Sequence, residues 1–296
     1  MPQGLAFYEE RKIMFVADSW KEYALLDCGD GEKYEQWGNV KLLRPDPQAI
    51  WPMGKVDRID AHYIRSKSGG GAWDYLKELP ESWIIQWKEL SFIVRPTGFK
   101  HTGLFPEQAV NWAWMQSLIR SANRPIRVLN LFAYTGGATL ACLSAGAEVV
   151  HVDAAKGMVA WAKENAATSG LSDAPIRWIV DDALKFVLRE ARRGRQYDAI
   201  IMDPPSYGRG PNGEMWKIEQ SLYSLVEACV DVLSDDPLFF LLNAYTTGLA
   251  ASVLSGVLQL SVGTRFGGQV SAEEVVLPVQ NRDIVLPCGS SGRWFR

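Results

Sequence analysis

The sequence predicts an α/β protein: a doubly wound, mostly parallel, seven-stranded sheet preceded by a smaller β-rich domain. Three observations carry this. From Arg127 onward, short apolar runs alternate with segments of helical periodicity, the pattern of strands joined by covering helices. Several of those runs stop abruptly at acidic residues, namely Asp153, Asp181-Asp182 and Asp203. Before about Pro96 the chain is irregular, with apolar and aromatic runs set between turn residues. Residues 1–98 therefore read as a β-rich accessory domain suited to substrate recognition, and 99–296 as the main domain.

In order, residues 23–28 form a strand candidate followed by the turn chemistry of Gly29-Asp30-Gly31-Glu32. Ser68-Gly69-Gly70-Gly71 is expected to be a flexible loop. Residues 83–87 and 90–94 flank Lys88-Glu89 as a hairpin. Pro106 suits a first helical turn, and Trp112, Met115, Leu118 and Ile119 recur at helical spacing behind it. Strands are then expected at 128–132, 148–152, 176–180, 199–202, 238–242, 271–277 and 283–287. Helices are expected at 139–144, 158–168, 184–193, 218–233 and 248–260, three of them closed by Gly146, Gly170 and Gly194.

The chain has 296 residues, 47% of them hydrophobic, which is ample for a full core. A net charge of -3 argues against a general nucleic-acid coating protein, so any nucleic acid must meet a local patch. Cys28, Cys142, Cys229 and Cys288 are far apart and form no CxxC pair, which speaks for a reducing cytoplasm and against structural zinc. His62, His101 and His151 do not cluster as metal ligands, and no metal is expected. Residues 1–11 lack an apolar signal core, and no apolar run is long enough to span a membrane. Most of the twelve tryptophans are expected in packing roles. Exposed ones can stack bases.

The chemistry gathers at strand ends, where open α/β sheets place their ligands. After the first main-domain strand come Ala133-Tyr134-Thr135-Gly136-Gly137, whose glycines suit a tight turn or a close backbone approach to a ligand. Asp153, followed by Ala154, lies about twenty residues further on, the spacing at which a carboxylate accepts from ribose hydroxyls. Asp181 and Asp182 suit an exocyclic amine, although Asp182 suits a helix N-cap equally well. Asp203-Pro204-Pro205-Ser206-Tyr207 leaves the sheet as a stiff turn, because neither proline can donate to a ladder. Taken singly each is an ordinary turn. In this order they describe a nucleoside pocket with a reaction turn beside it. No GxGxxG is present, so a nicotinamide oxidoreductase is disfavoured.

The order Asn130-Leu131-Phe132-Ala133-Tyr134-Thr135-Gly136-Gly137, His151-Val152-Asp153, Val180-Asp181-Asp182-Ala183 and Asp203-Pro204-Pro205-Ser206-Tyr207 resembles the class I S-adenosylmethionine-dependent methyltransferases, with a Rossmann-like fold. More closely, it resembles the bacterial large-subunit ribosomal RNA methyltransferases of the RlmI and RlmK type. Lys100-His101-Thr102-Gly103-Leu104-Phe105-Pro106-Glu107-Gln108 is similar to that group's KTG-x-F-x-D-Q segment, with His101 inserted and Glu107 in place of Asp. Residues 1–96 do not match the PUA domain that such relatives often carry. The resemblance implies S-adenosyl-L-methionine as cofactor, with Tyr134, Thr135, Gly136 and Gly137 lining its methionine part. It further implies Asp153 on the ribose, Asp182 and the Ala183 N–H on the adenine, and Phe105 and Gln108 closing over the cofactor. Asp203, Pro204 and Pro205 would face the methyl group, with Tyr207 stacking the base, although Ser206 is inserted before it.

The expected activity is methylation of an RNA base, with ribosomal RNA favoured. The alternatives are a protein or small-molecule substrate, or a non-catalytic RNA-associated module. A nitrogen is favoured over pyrimidine carbon 5, because carbon 5 needs a thiolate to add to the ring and no cysteine follows Pro205. The connection 208–216 is a candidate lid or an ordinary loop. The basic run 188–195 is read as a solvated helix face rather than an RNA patch.

Overall fold

The structure, a computed structural model, describes residues 14–66, 70–209, 215–245 and 248–296, with no side-chain account of Arg209. Residues 1–11, half of the 68–71 loop and the tip of the 208–216 connection, all singled out above, lie outside the described residues.

The N-terminal region forms β1 (Met14–Val16), β2 (Tyr23–Gly29), β3 (Glu32–Trp37), β4 (Val40–Pro45), β5 (Ala61–Arg65), β6 (Gly71–Tyr75), β7 (Trp83–Trp87) and β8 (Leu90–Val94). Strands β2 to β6 make a five-stranded sheet, and β7–β8 is the expected hairpin. Asp30 and Gly31 both take positive φ in the turn between β2 and β3, as a two-residue hairpin requires.

A single turn of 3₁₀ helix at Pro106–Gln108 leads into α1 (Ala109–Ser121). The alternation follows as β9 (Arg127–Leu131), α2 (Gly137–Ser144), β10 (Glu148–Asp153), α3 (Lys156–Thr168), β11 (Ile176–Val180), α4 (Ala183–Arg192) and β12 (Ala199–Met202). Then come a small hairpin of β13 (Tyr207–Arg209) and β14 (Met215–Lys217), α5 (Ile218–Val230), β15 (Phe239–Ala244), α6 (Ala251–Leu258), β16 (Gln269–Pro278) and β17 (Val285–Phe295).

The expected seven strands are present, and β1 adds an eighth at the edge, in the order β1-β16-β17-β15-β12-β9-β10-β11. Only β17 runs antiparallel to its neighbours. The order turns back between β9 and β12, which places the switch point, where such sheets bind ligands, at Leu131 and Met202. Successive strand residues feed opposite faces: Val128, Val149 and Ile201 join one buried cluster, while Leu129, Val150 and Ile200 join the other, as the period of two demands. The first cluster runs on without a break into Trp37, Trp87 and Phe92 of the N-terminal region.

β17 runs eight residues beyond the end expected from sequence, to Phe295. Gly289-Ser290-Ser291-Gly292 looks like a turn, but the small residues serve packing. A Cβ on Gly292 would lie 2.9 Å from Leu258 and 3.0 Å from Leu254 of α6.

Gly137 is held by a similar constraint. A Cβ there would stand 2.5 Å from Cζ2 of Trp112, which is 2% exposed. Gly137→Ala is therefore expected to cost about 1–3 kcal/mol, as overpacking of a closed core does. Denaturant titration checks this, and the cost should shrink in a Trp112→Phe background, where the ring is smaller.

Candidate active site

β9 ends in a strained loop. Phe132 and Tyr134 have φ of 55° and 50°, and Gly136 has 88°. Two non-glycine residues so placed persist only where the surroundings over-determine them. Here Tyr134 N–H donates to Asp153 Oδ2 (2.8 Å), and Ala133 N–H to the Val152 carbonyl (3.1 Å). Thr135 is buried, and its hydroxyl donates to the Gly103 carbonyl at 2.5 Å. Thr135 thus staples the glycine turn to the 100–108 segment, and of this residue only the backbone is left to line a ligand. The missing side chain of Gly137 makes room for Trp112, and that of Gly103 for Trp161, whose Cζ2 would lie 2.2 Å from a Cβ.

Asp153 closes β10 with both carboxylate oxygens engaged, Oδ2 by Tyr134 N–H and Oδ1 by Ala155 N–H, each at 2.8 Å. Burial pushes its carboxyl up, while the two amides oppose the rise. Each oxygen keeps a lone pair, and the neighbouring Ala154 is exposed. At the end of β11, Asp181 is engaged by an ion pair with Arg189 and by the Asp182 N–H. Asp182 caps α4 through Oδ1, which accepts from Lys185 N–H at 2.9 Å. Its other oxygen has no partner among the described residues, so the capping and ligand-binding readings coexist. Ala183 opens α4, and its N–H is one of those a helix leaves unsatisfied at its start.

At the end of β12, Asp203 is half-buried and Pro204 buried. Burial pushes the Asp203 carboxyl up to about 7, the Glu107 charge adds to the rise, and a hydrogen bond from the Asn243 side chain opposes it. Asn243 Nδ2 also donates to Gln108 Oε1 at 3.1 Å, and Gln108 Nε2 donates to the Tyr245 hydroxyl at 2.7 Å. Phe105 lies between Tyr134 and Tyr245, with ring centroids 5.4 and 5.7 Å away. Phe105, Gln108, Tyr134 and Asp203 are thus gathered at one sheet edge. Tyr207 lies on β13, 51% exposed, with its hydroxyl donating to Met215 Sδ. Across that hairpin, Trp216 donates its indole N–H to the Pro205 carbonyl at 2.6 Å and packs 5.9 Å from Phe132.

Asn243 and Tyr245 were given no role from the sequence, nor were Asn111 and Ser291, which bond Asn243, or Arg293, which bonds Asn111. The available signal was the polar tail Asn243-Ala244-Tyr245 on an otherwise apolar strand. Cys28, Cys142 and Cys229 are buried in the core, and burial pushes the Cys288 thiol well up. Among the described residues no group of three His, Cys, Asp or Glu side chains stands ready to hold a metal. No described helix is long and apolar enough to cross a membrane.

A switch-point sheet edge with a strained turn and four acids at three strand ends is where a doubly wound α/β fold of this class receives its ligand. The family model for S-adenosylmethionine-dependent methyltransferases matches residues 54–231, and the chain belongs to that family. The SAM-dependent methyltransferase from Agrobacterium tumefaciens is 36% identical, with a TM-score of 0.90 over 97% of this chain and 94% of that one. The structure of SMU.776 complexed with SAH shares the fold, at 20% identity and a TM-score of 0.70 over 93% of this chain and 75% of that one. The ribosomal RNA large subunit methyltransferase K/L of Shewanella frigidimarina is 28% identical over 198 residues, 66% of this chain. The chain spans about a quarter of that relative's length, 26%. The cofactor is therefore S-adenosylmethionine. The amide-braced Asp153 with its open lone pairs and the half-committed Asp182 fit its ribose and adenine.

Asp153→Asn is expected to weaken the binding of S-adenosylmethionine and its demethylated product by roughly 10–150-fold, the loss of a charge-assisted hydrogen bond. Calorimetry on the folded variant measures it. In the cofactor-free protein, Asp203 faces Glu107 and Tyr245 as well as Asn243. Carbon-13 NMR should find it ionising near pH 7, protonated below and charged above. Asn243→Ala should move that midpoint upward, since the lost hydrogen bond favours the charged form.

Proposed function

We propose that this methyltransferase acts on a nitrogen of an RNA base, with ribosomal RNA as substrate, and works in the cytoplasm. The observation that carries the reading is Asp203. Its half-buried carboxylate, beside Pro204, ends a sheet strand, and a hydrogen bond from the Asn243 side chain favours its charged form. The naming of the Shewanella relative as a ribosomal RNA methyltransferase supports the choice of substrate.

Asp153, Ala154, Asp182 and Ala183 would hold the nucleoside part of the cofactor. The 133–137 turn, Phe105 and Gln108 would hold the remainder, with Asp181 bracing the turn before α4. When bound, S-adenosylmethionine supplies an electrophilic methyl group on its sulfonium. Asp203 and the Pro204 carbonyl, which has no donor among the described residues, accept from the N–H of the target nitrogen and aim its lone pair. The rings of Phe105, Tyr134 and Tyr245, tilted against one another, would form an aromatic border for the base, with Tyr207 and Trp216 on the hairpin beyond it. Carbon-5 chemistry would need a thiolate, and the Cys288 thiol is shifted away from that form. Residues 1–98 would serve as the accessory region presenting the RNA, and 99–296 as the methyl-transferring domain.

Methyl-labelled S-adenosylmethionine and transcribed, unmodified large-subunit rRNA provide the test. Wild type should label the RNA. Asp203→Ala should lose about 100-fold or more in kcat while retaining cofactor affinity, the mark of an interaction used in the transition state. Cys288→Ser should stay within a few-fold of wild type. Loss of labelling in Cys288→Ser with cofactor binding intact would replace the nitrogen reading by a thiolate mechanism.

A further inference from the structure

Behind the site lies a buried polar chain that begins at a single cation. Arg293 on β17 is 7% exposed and stacked between Phe15 (3.6 Å to the ring centroid) and Trp114 (4.8 Å). It has no carboxylate partner among the described residues. Its Nε and Nη2 donate to Asn111 Oδ1 at 3.0 and 2.6 Å. A guanidinium has donors only, so Asn111 must present its oxygen to Arg293 and its Nδ2 toward the site. Turned over, it would set donors against donors in a dry interior, where an unmade hydrogen bond is costly.

The sense of every further bond follows from that one. Asn111 Nδ2 donates to Gln108 Oε1 (2.8 Å) and to Ser291 Oγ (2.8 Å). Ser291, having accepted, donates to Asn243 Oδ1 at 2.6 Å. Asn243 therefore turns Nδ2 toward Gln108 Oε1 (3.1 Å) and Asp203. Gln108, with its oxygen used, offers Nε2 to the Tyr245 hydroxyl (2.7 Å). That hydroxyl must accept, and its own hydrogen is left with no acceptor among the described residues. Tyr245 is half-buried, close enough to Asp203 to feel its charge.

We propose that Tyr245 reads the substrate by donating its hydroxyl hydrogen to an acceptor atom of the target base, and that Arg293 is the positioning residue that sets this polarity through Asn111, Gln108 and Asn243. The inference rests on the reading of an RNA base as substrate. The sheet edge then offers an acceptor at Asp203 and a donor at Tyr245. It suits a base edge on which an N–H group stands next to a carbonyl oxygen or an unprotonated ring nitrogen.

The test uses the full chain as wild type, Tyr245→Phe, Arg293→Met, Arg293→Lys and Asn111→Leu. Tyr245→Phe should lower kcat/KM on transcribed large-subunit rRNA by roughly 10–100-fold, as losing the partner of a desolvated polar group does. It should leave the affinity for S-adenosylhomocysteine within about twofold by calorimetry. A normal kcat/KM would overturn the proposal, and so would an equal loss of S-adenosylhomocysteine affinity, which would turn the hydroxyl toward the cofactor. Arg293→Met should reproduce the kcat/KM loss and raise the Asp203 titration midpoint in the cofactor-free protein, because Asn243 is free to turn over. Loss of the buried charge by itself also raises the midpoint, so the relay is read from Asn111→Leu, which keeps Arg293 and should raise the midpoint as Arg293→Met does; an unmoved midpoint in that variant would overturn the relay. Arg293→Lys, still a donor, should restore both readouts. An unmoved midpoint in folded Arg293→Met would remove Arg293 from the role. If wild type labels no RNA, the substrate reading fails, while the midpoint still decides the relay.

Discussion

The indole of Trp112 occupies the point on which the site depends. It packs against Trp87 at 5.3 Å, Phe92 at 5.3 Å and Trp20 at 6.0 Å, and it fills the space that a side chain on Gly137 would take. The N-terminal hairpin, the helix behind the 100–108 segment and the glycine turn are thereby joined in one close-packed core. A packed interior does not deform continuously. The positive-φ residues Phe132 and Tyr134 are held by this frame, together with the Thr135 hydroxyl on Gly103 and the Asn165 amide on the Thr135 carbonyl (2.9 Å).

Four acidic residues stand at the same sheet edge, and their surroundings assign them different work. Asp153 is braced by two backbone amides, which suits a fixed acceptor for a diol. Asp181 is neutralised by Arg189, and Asp182 divides itself between a helix cap and an open oxygen. Asp203, more deeply placed and near Glu107, sits close to its protonation midpoint at neutral pH, where a proton acceptor is most effective. In the proposed mechanism the same residue type would serve binding, bracing and chemistry, distinguished by desolvation and hydrogen bonding.

Much of this was legible in the sequence, because strand-end position and helix-sheet alternation are local signals. The acids, the glycine turn and the proline turn follow from them. What escaped was set by tertiary packing. The serines and glycines of β17 lie beyond the strand expected at 283–287, yet Gly292 makes room for α6 and Ser291 joins a buried hydrogen-bond chain. Asn243 and Tyr245 hid at the end of an apolar run. No spacing announces that Arg293, near the C-terminus, bonds Asn111 at the start of the main domain. The basic run 188–195 is partly paired, Arg189 with Asp181 and Arg193 with the buried Glu190 at 3.4 Å, in keeping with a helix face more than an RNA patch.

Nitrogen methylation of ribosomal RNA by this protein is tested by nucleoside mass spectrometry of large-subunit ribosomal RNA from a strain lacking it, beside its parent. The deletion strain should lose one nitrogen-methylated nucleoside, restored by the wild-type chain and not by the Asp203→Ala variant. An unchanged set of methylated nucleosides, or the loss of a carbon-5-methylated pyrimidine, would contradict that proposal.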